Sequence, residues 1–227
     1  ILTLTDAWGI ELEGAEESRK EPVAGSDLYT SLDYNIQAYA EQLADRTLEA
    51  KGAKRVSIIV MNPQNGELMA MVNAPEFHLN DPFTLTEPYT GEGENKQELL
   101  NRMWRNPAIN DTYEPGSTFK IITAAAGLEA GAVRLEDRFS CPGFRIVEDR
   151  KIRCHKIGGH GGETFLQGVM NSCNPVFMDV GARVGVDGMY QTFRQLGLFE
   201  KTGIDLPGEA SSITVSYTHL TLPTILR

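Results

Sequence analysis

Apolar residues recur at helical spacing early in the chain and then give way to two short continuous apolar runs. After Asp33, an N-cap residue type, apolar side chains keep this spacing up to Gly52, which predicts a helix that ends at the glycine. Residues 55–61 are typical of a buried strand, residues 62–66 of a turn, and residues 67–72 of the return strand. This order predicts a helix packed on an antiparallel sheet.

Further helices are predicted after the hairpin. A short helix is expected over residues 97–104, and a second from Ser117 to about residue 130, ended by Gly131. Residues 139–155 fit a strand pair, and the glycine-rich residues 158–162 fit a flexible joint. Three more helices are expected over residues 163–171, 174–184 and 187–196.

Composition narrows the classes of function. The 227 residues, of which 41% are hydrophobic, suit one large domain, or one domain with part of another. The formal net charge of −10 argues against a nucleic-acid partner, since phosphate binding requires an excess of lysine and arginine. The acidic residues 11–17 are interpreted as a solvated loop. The sequence contains no run of 18 apolar residues, so it predicts no membrane span.

Cys141, Cys154 and Cys173 are too few for a disulfide scaffold and allow at most one bridge. The string from Cys154 to His160 invites a zinc interpretation, but its spacing fits none of the usual paired-ligand patterns. We therefore expect neither a metal nor a cofactor from the sequence.

A Ser-x-x-Lys pattern, Ser117 to Lys120, lies at the predicted start of a helix. Residues three apart share a helix face, so Lys120 can reach the Ser117 oxygen and activate it as a nucleophile. The free N–H groups at a helix start favour an oxyanion. Lys120 must be neutral to act as a base, which requires burial or a nearby cation. The pattern is common by chance and needs a second feature for support.

That second feature is the string Ser172-Cys173-Asn174, 55 residues after Ser117, between two predicted helices. A loop at this point can direct the Ser172 hydroxyl and the Asn174 amide into a cleft. Asn174 is also a good N-cap, with Pro175 at the first helical position, so a helix break explains the same residues. The two interpretations are compatible.

Longer strings resemble one known family. YEPGSTFK at 113–120 resembles the nucleophile segment of class B penicillin-binding proteins, and VMNPQNGELMAM at 60–71 resembles their first sheet hairpin. HGG at 160–162 and NSCNPVF at 171–177 are similar to the second-motif region, and TGIDLPGE at 202–209 to the loop that follows it. The similarity covers roughly residues 1–212. Cys173 and Cys154 suggest the sporulation or cortex-synthesis branch.

The resemblance implies an α/β (α+β) fold of the penicillin-binding protein transpeptidase and serine β-lactamase type, an antiparallel sheet flanked by helices. It also implies peptidoglycan D,D-transpeptidase activity. Ser117 would attack a D-Ala-D-Ala stem peptide, with Lys120 as general base. Ser172 would relay a proton to the leaving amine, and Asn174 would orient the donor peptide. An amine of a second stem peptide would then resolve the acyl-enzyme, and β-lactams would acylate Ser117 instead.

The resemblance further implies a location at the extracytoplasmic face of the bacterial membrane, with an N-terminal anchoring helix outside this sequence. A cell-wall glycosyltransferase is the expected protein partner. Residues 1–25 are expected to end a non-catalytic N-terminal domain and linker, and residues 26–214 to form a partial transpeptidase domain. Residues 215–227 depart from the family and are interpreted as a non-native tail.

The third family motif, Lys-Thr-Gly, is spelled by residues 201–203, but the flanking sequence is typical of a loop and not of a catalytic strand. The functional copy is expected beyond residue 227. The fold would then be incomplete at its C-terminus, with an exposed sheet edge, and the chain as written would be poorly folded and inactive.

Alternatives to the transpeptidase remain open. A serine β-lactamase or a penicillin-sensing receptor shares the Ser-x-x-Lys pattern, and a non-catalytic scaffold of cell-wall assembly would not need the third motif. A bridge between Cys154 and Cys173 would act as a redox switch on the second motif, whereas unpaired cysteines would be small core residues.

Overall fold

The first helix is defined by its two caps. The computed structural model describes residues 23–90, 95–147 and 149–211. Helix α1 spans Tyr34–Lys51, and the Asp33 side chain accepts hydrogen bonds from the first turn. Gly52 ends the helix in the left-handed conformation at φ 56°, which glycine adopts without strain. Both predicted caps are confirmed.

The predicted hairpin follows and carries α1 on one face. Strand β1, Val56–Met61, pairs antiparallel with β2, Leu68–Ala74. The alternating burial of the strands turns one face towards the helix. The buried residues of this core are Ala40, Ala44, Ala70, Val72 and Ala74. The small alanines let helix and sheet approach closely, and the predicted helix-on-hairpin arrangement is confirmed.

The Ser-x-x-Lys segment at residues 117–120 lies after two helices. Helix α2 spans Lys96–Trp104, as predicted, and the short helix α3, Pro107–Asn110, was not anticipated. A 3₁₀ turn over Gly116–Phe119 then leads into α4, Lys120–Glu129. The prediction of an α-helix from Ser117 is therefore wrong for its first turn. Helix starts commonly tighten to 3₁₀ geometry, and here the Lys120 N–H donates to the Ser117 carbonyl.

Four short strands follow in place of a single pair. Strands β4, Phe144–Val147, and β5, Arg150–Arg153, form an antiparallel hairpin. Strand β3, Arg138–Cys141, pairs instead with β6, Gly161–Thr164. The flexible joint predicted at residues 158–162 is wrong in its second half, because long-range pairing with β3 overrides the weak strand propensity of glycine.

Two more helices follow β6. Helix α5 spans Phe165–Met170, and α6 spans Asn174–Gln195 with a non-helical Gly185 at φ 74° inside it. This break matches the boundary expected between two separate helices. The core between α5, α6 and β3 contains Val133, Phe139, Cys141, Cys154, Phe165, Cys173, Val176, Phe177 and Val180. Helices with antiparallel strand pairs confirm the mixed α+β class.

Within the described ranges, no helix is long and apolar enough to cross a lipid bilayer. The predicted tail at 215–227 lies outside the described residues, as do residues 1–22 of the predicted N-terminal remnant.

Candidate active site

Lys120 is the first residue of α4 and is only 8% exposed. Its ammonium group donates to the Ser172 carbonyl at 2.7 Å, to Ser172 Oγ at 3.0 Å and to Asn174 Oδ1 at 2.6 Å. Three acceptors match the three protons of an ammonium group, which explains how the charge is tolerated away from water. The structure thus joins Lys120 to both polar residues of the second motif.

The loop between α5 and α6 holds Ser172 in place. Its N–H donates to the Val169 carbonyl, and the Cys173 N–H donates to the Gly168 carbonyl. Ser172 has φ 47°, a left-handed conformation that a non-glycine residue adopts at a cost of roughly 1–2 kcal/mol. Strain of this kind persists where the surroundings fix the backbone, and here it turns the Ser172 carbonyl and hydroxyl towards Lys120.

Asn174 links the lysine to a strand. Its Oδ1 accepts from Lys120, and its Nδ2 donates to the Arg153 carbonyl at 2.8 Å. The residue also begins α6, with Pro175 in the first turn. The predicted helix break is confirmed, but the N-cap expected at Asn174 lies one residue earlier, at Cys173, whose side chain makes no capping hydrogen bond. The Asn174 amide instead contacts Lys120 and the Arg153 carbonyl.

Burial lowers the pKa of Lys120, and the nearby Cys154 and Cys173 sulfurs oppose this shift. The Phe177 ring lies 5.4 Å from Nζ and covers one side of the ammonium group. A lowered pKa increases the fraction of neutral lysine, as a general base requires. Of the two causes named from the sequence, burial and a nearby cation, burial is the one that lowers this pKa.

Ser117 lies in the 3₁₀ turn, three residues before Lys120 in sequence, and is exposed. Within the part of the chain that the structure describes, no hydrogen bond of its hydroxyl is present. The structure therefore brings together Lys120, Ser172 and Asn174, whereas Ser117 is exposed and lies outside this set of hydrogen bonds. The sequence did not indicate the Arg153 carbonyl, because a backbone acceptor has no residue-type signal.

Residues 201–203 form no strand. Thr202 donates from both its N–H and its hydroxyl to Glu209 Oε1. These hydrogen bonds lower the pKa of the Glu209 carboxyl. The loop assignment made from the sequence is confirmed.

A separate cleft of about 500 Å³ lies between the β1–β2 hairpin and the 200–210 loop. Ile59, Leu68, Thr202 and Glu209 are among its lining residues, and none of the four predicted site residues lines it. The cleft is thus distinct from the lysine site.

A buried lysine at a helix start thus donates hydrogen bonds to a serine and an asparagine from a second loop. A family model described as "Penicillin binding protein transpeptidase domain" matches residues 56–222. The chain belongs to this family.

Named relatives agree with this assignment. The chain is 36% identical to stage V sporulation protein D of Bacillus subtilis, over 92% of this chain and 30% of the relative. It is 34% identical to the peptidoglycan D,D-transpeptidase MrdA of Acinetobacter baumannii, over 86% of this chain and 28% of that protein. The chain therefore spans less than a third of the length of these curated relatives.

Solved structures support the fold. Penicillin-binding protein 3 of Mycobacterium tuberculosis, in complex with aztreonam, aligns with a TM-score of 0.76 at 26% identity, over 93% of this chain and 44% of that one. The penicillin-binding protein transpeptidase fold expected from the sequence is confirmed.

Proposed function

We propose that this chain carries the nucleophile and the second motif of a serine D,D-transpeptidase that crosslinks peptidoglycan. The observation that supports this most directly is the hydrogen bonding of Lys120 to Ser172 and Asn174 across more than 50 residues of sequence. The three oxygens that accept from this lysine are neutral, so a proton can leave Lys120 without breaking an ion pair to them.

In the proposed first step, neutral Lys120 takes the proton of the Ser117 hydroxyl while the Ser117 oxygen attacks the carbonyl carbon of the D-Ala-D-Ala bond. As the bond between the two D-Ala residues breaks, the Ser172 hydroxyl, 3.0 Å from Lys120 Nζ, gives its proton to the leaving D-Ala amine and takes up the proton that Lys120 accepted from Ser117. The Asn174 amide orients the donor peptide while it stays anchored to the Arg153 carbonyl.

In the proposed second step, the amine of another stem peptide attacks the acyl carbonyl carbon and forms the crosslink. The ester bond to Ser117 breaks, and the amine proton returns through Lys120 to the Ser117 oxygen. A β-lactam ring presents a similar carbonyl and would leave Ser117 acylated. We place the protein at the extracytoplasmic face of the membrane, with a cell-wall glycosyltransferase as its partner, because crosslinking acts on newly polymerised glycan strands.

Labelling with a fluorescent penicillin tests the proposal. The protein is expressed as this chain and also extended to the length of its relatives, with Ser117→Ala and, as a serine outside the site, Ser57→Ala. A stable adduct on the extended protein and on Ser57→Ala, but not on Ser117→Ala, is the expected result. A folded, extended protein without an adduct contradicts it and favours a non-catalytic scaffold. Rapid turnover of penicillin favours a β-lactamase.

A further inference from the structure

Four metal-binding side chains meet beneath the second-motif loop: Cys141, Cys154, His160 and Cys173. One ligand atom from each lies within 4.8 Å of the other three. The three cysteines are free and 0–4% exposed, and the His160 side chain is 8% exposed. Three thiols and an imidazole in van der Waals range form an unusual core, since apolar side chains would fill the same space without polar atoms.

Backbone packing holds the cluster together. Cys141 ends β3, and its strand partner is Gly161, the residue after His160. A Cβ atom at Gly159 would lie 2.1 Å from the Cys141 carbonyl oxygen, so only glycine permits this approach. The Cys154 N–H donates to the Gly143 carbonyl and joins the third ligand to the same turn. These contacts fix three ligands before any metal binds.

A buried carboxylate completes the surroundings of the cluster. Glu163 is 3% exposed, and its Oε1 lies 3.8 Å from His160 Nδ1. Among the described residues, this oxygen has no hydrogen-bond partner. In many metal sites a carboxylate beside the ring of a metal-binding histidine orients the imidazole. The function that this suggests for Glu163 Oε1 is to hold the His160 ring in place.

The ligand set selects the ion. Three thiolates and one imidazole suit Zn²⁺, whereas Mg²⁺ and Ca²⁺ require oxygen ligands. A tetrahedral site with Zn–S bonds of about 2.3 Å has sulfur atoms roughly 3.8 Å apart, so the cluster needs only small side-chain movements to close on a metal. The three thiols would release their protons to solvent on binding.

We propose that Cys141, Cys154, His160 and Cys173 bind one Zn²⁺ ion, which fixes the loop carrying Ser172 and Asn174 beside Lys120. Cys173 separates the two motif residues, so a metal bond to its sulfur restrains both neighbours. The sequence-based expectation of no metal relied on the local spacing of residues 154–160, whereas the ligands Cys141 and Cys173 come from β3 and from the start of α6.

Metal counting on the full chain tests the site independently of any catalysis. The chain is reduced, loaded with Zn²⁺, dialysed and assayed for bound metal, and a parallel sample is titrated with Co²⁺. We expect one Zn²⁺ per chain and thiolate-to-cobalt charge-transfer bands typical of tetrahedral coordination. We also expect Zn²⁺ to increase hydrogen-exchange protection at residues 171–174. The cobalt spectrum requires no variant, so it decides the question even where a substitution prevents folding.

Histidine variants provide a matched pair. His160→Ala is expected to lower Zn²⁺ affinity at least tenfold. His78→Ala, an exposed residue outside the cluster, is expected to leave it unchanged. A folded, reduced chain that takes up no stoichiometric Zn²⁺, or that shows no cobalt–thiolate bands, overturns the proposal. An intramolecular disulfide whose reduction does not restore Zn²⁺ uptake also overturns it. Zn²⁺ uptake without an increase in hydrogen-exchange protection at residues 171–174 overturns the proposal that the metal positions this loop.

Discussion

Lys120 Nζ lies 2.6 Å from Asn174 Oδ1, although 54 residues separate the two in sequence. The same amide donates to the Arg153 carbonyl, so one side chain links the start of α4, the start of α6 and the end of β5. Three elements that meet at one amide give the site its geometry, and changes at Asn174 should therefore disturb the position of Lys120.

Asn174→Ala is expected to slow acylation by a penicillin. A hydrogen bond to a charged group contributes about 1.5–3 kcal/mol, which corresponds to a rate loss of roughly 10- to 150-fold if the bond acts mainly in the transition state. Stopped-flow labelling of the extended protein measures the rate. Asn101→Ala, on α2, is the control and should react like the unsubstituted protein. Equal rates for the two variants would contradict the role given to Asn174.

Two substitutions of Ser172 separate the backbone strain at this residue from the role of its hydroxyl. Ser172→Gly and Ser172→Ala both remove the hydroxyl that contacts Lys120, but only glycine relaxes the backbone at φ 47°. Ser172→Gly should therefore be more stable than Ser172→Ala by about 1 kcal/mol. Denaturant unfolding measures this difference.

Both Ser172 variants should lose most of their acylation rate, since neither can relay a proton. A Ser172→Ala protein as stable as Ser172→Gly would show that the left-handed backbone stores no strain. Full acylation in either variant would remove Ser172 from the proton path.

The local elements of the fold and the β1–β2 hairpin could be predicted from the sequence, but the pairing of the later strands could not. Asp33 and Gly52 carry direct cap signals, and the β1–β2 hairpin has a short turn between apolar runs. The β3–β6 pair joins strands that are 20 residues apart and contains Gly161 and Gly162, which have no strand propensity. No local pattern specifies such a pair.

The candidate site likewise has residues that could be identified from sequence and contacts that could not. Ser117 and Lys120 share a short motif, and the string around Ser172 is recognisable, so their residue types could be identified from sequence. The contribution of the Arg153 carbonyl is a backbone feature with no sequence signal. The cluster proposed to bind zinc was missed because Cys141, on β3, and Cys173, at the start of α6, lie 32 residues apart and meet only in the folded core.

The acylation rate should rise with pH, with a midpoint below the ordinary lysine pKa of 10.5. Burial lowers the pKa of Lys120, and the base form is the deprotonated one, so the active fraction increases as pH rises through the lowered pKa. Ser172 and Asn174, which contact Nζ, are neutral, and the facing Cys154 and Cys173 sulfurs oppose the shift.

A pH series of penicillin labelling on the extended protein measures this midpoint. Lys120→Arg is the control, because arginine stays protonated throughout and should give a low rate with no such rise. A midpoint at or above 10.5 in the unsubstituted protein would mean that Lys120 is not the base that limits acylation.

Gly159→Ala should destabilise the protein strongly, and Gly158→Ala should not. Gly159 has φ 75°, and an added Cβ would meet the Cys141 carbonyl oxygen at 2.1 Å and the Gly143 nitrogen at 2.6 Å. Backbone atoms cannot move aside as a flexible side chain does, so we expect a loss of about 2 kcal/mol or more. A Cβ atom added at the neighbouring Gly158 would have open space within 4 Å, and this alanine variant should change the free energy of unfolding by less than about 0.5 kcal/mol. Denaturant unfolding of both variants under reducing conditions gives the comparison. Equal stability of the two would show that the turns carrying Cys141 and His160 are not packed backbone against backbone.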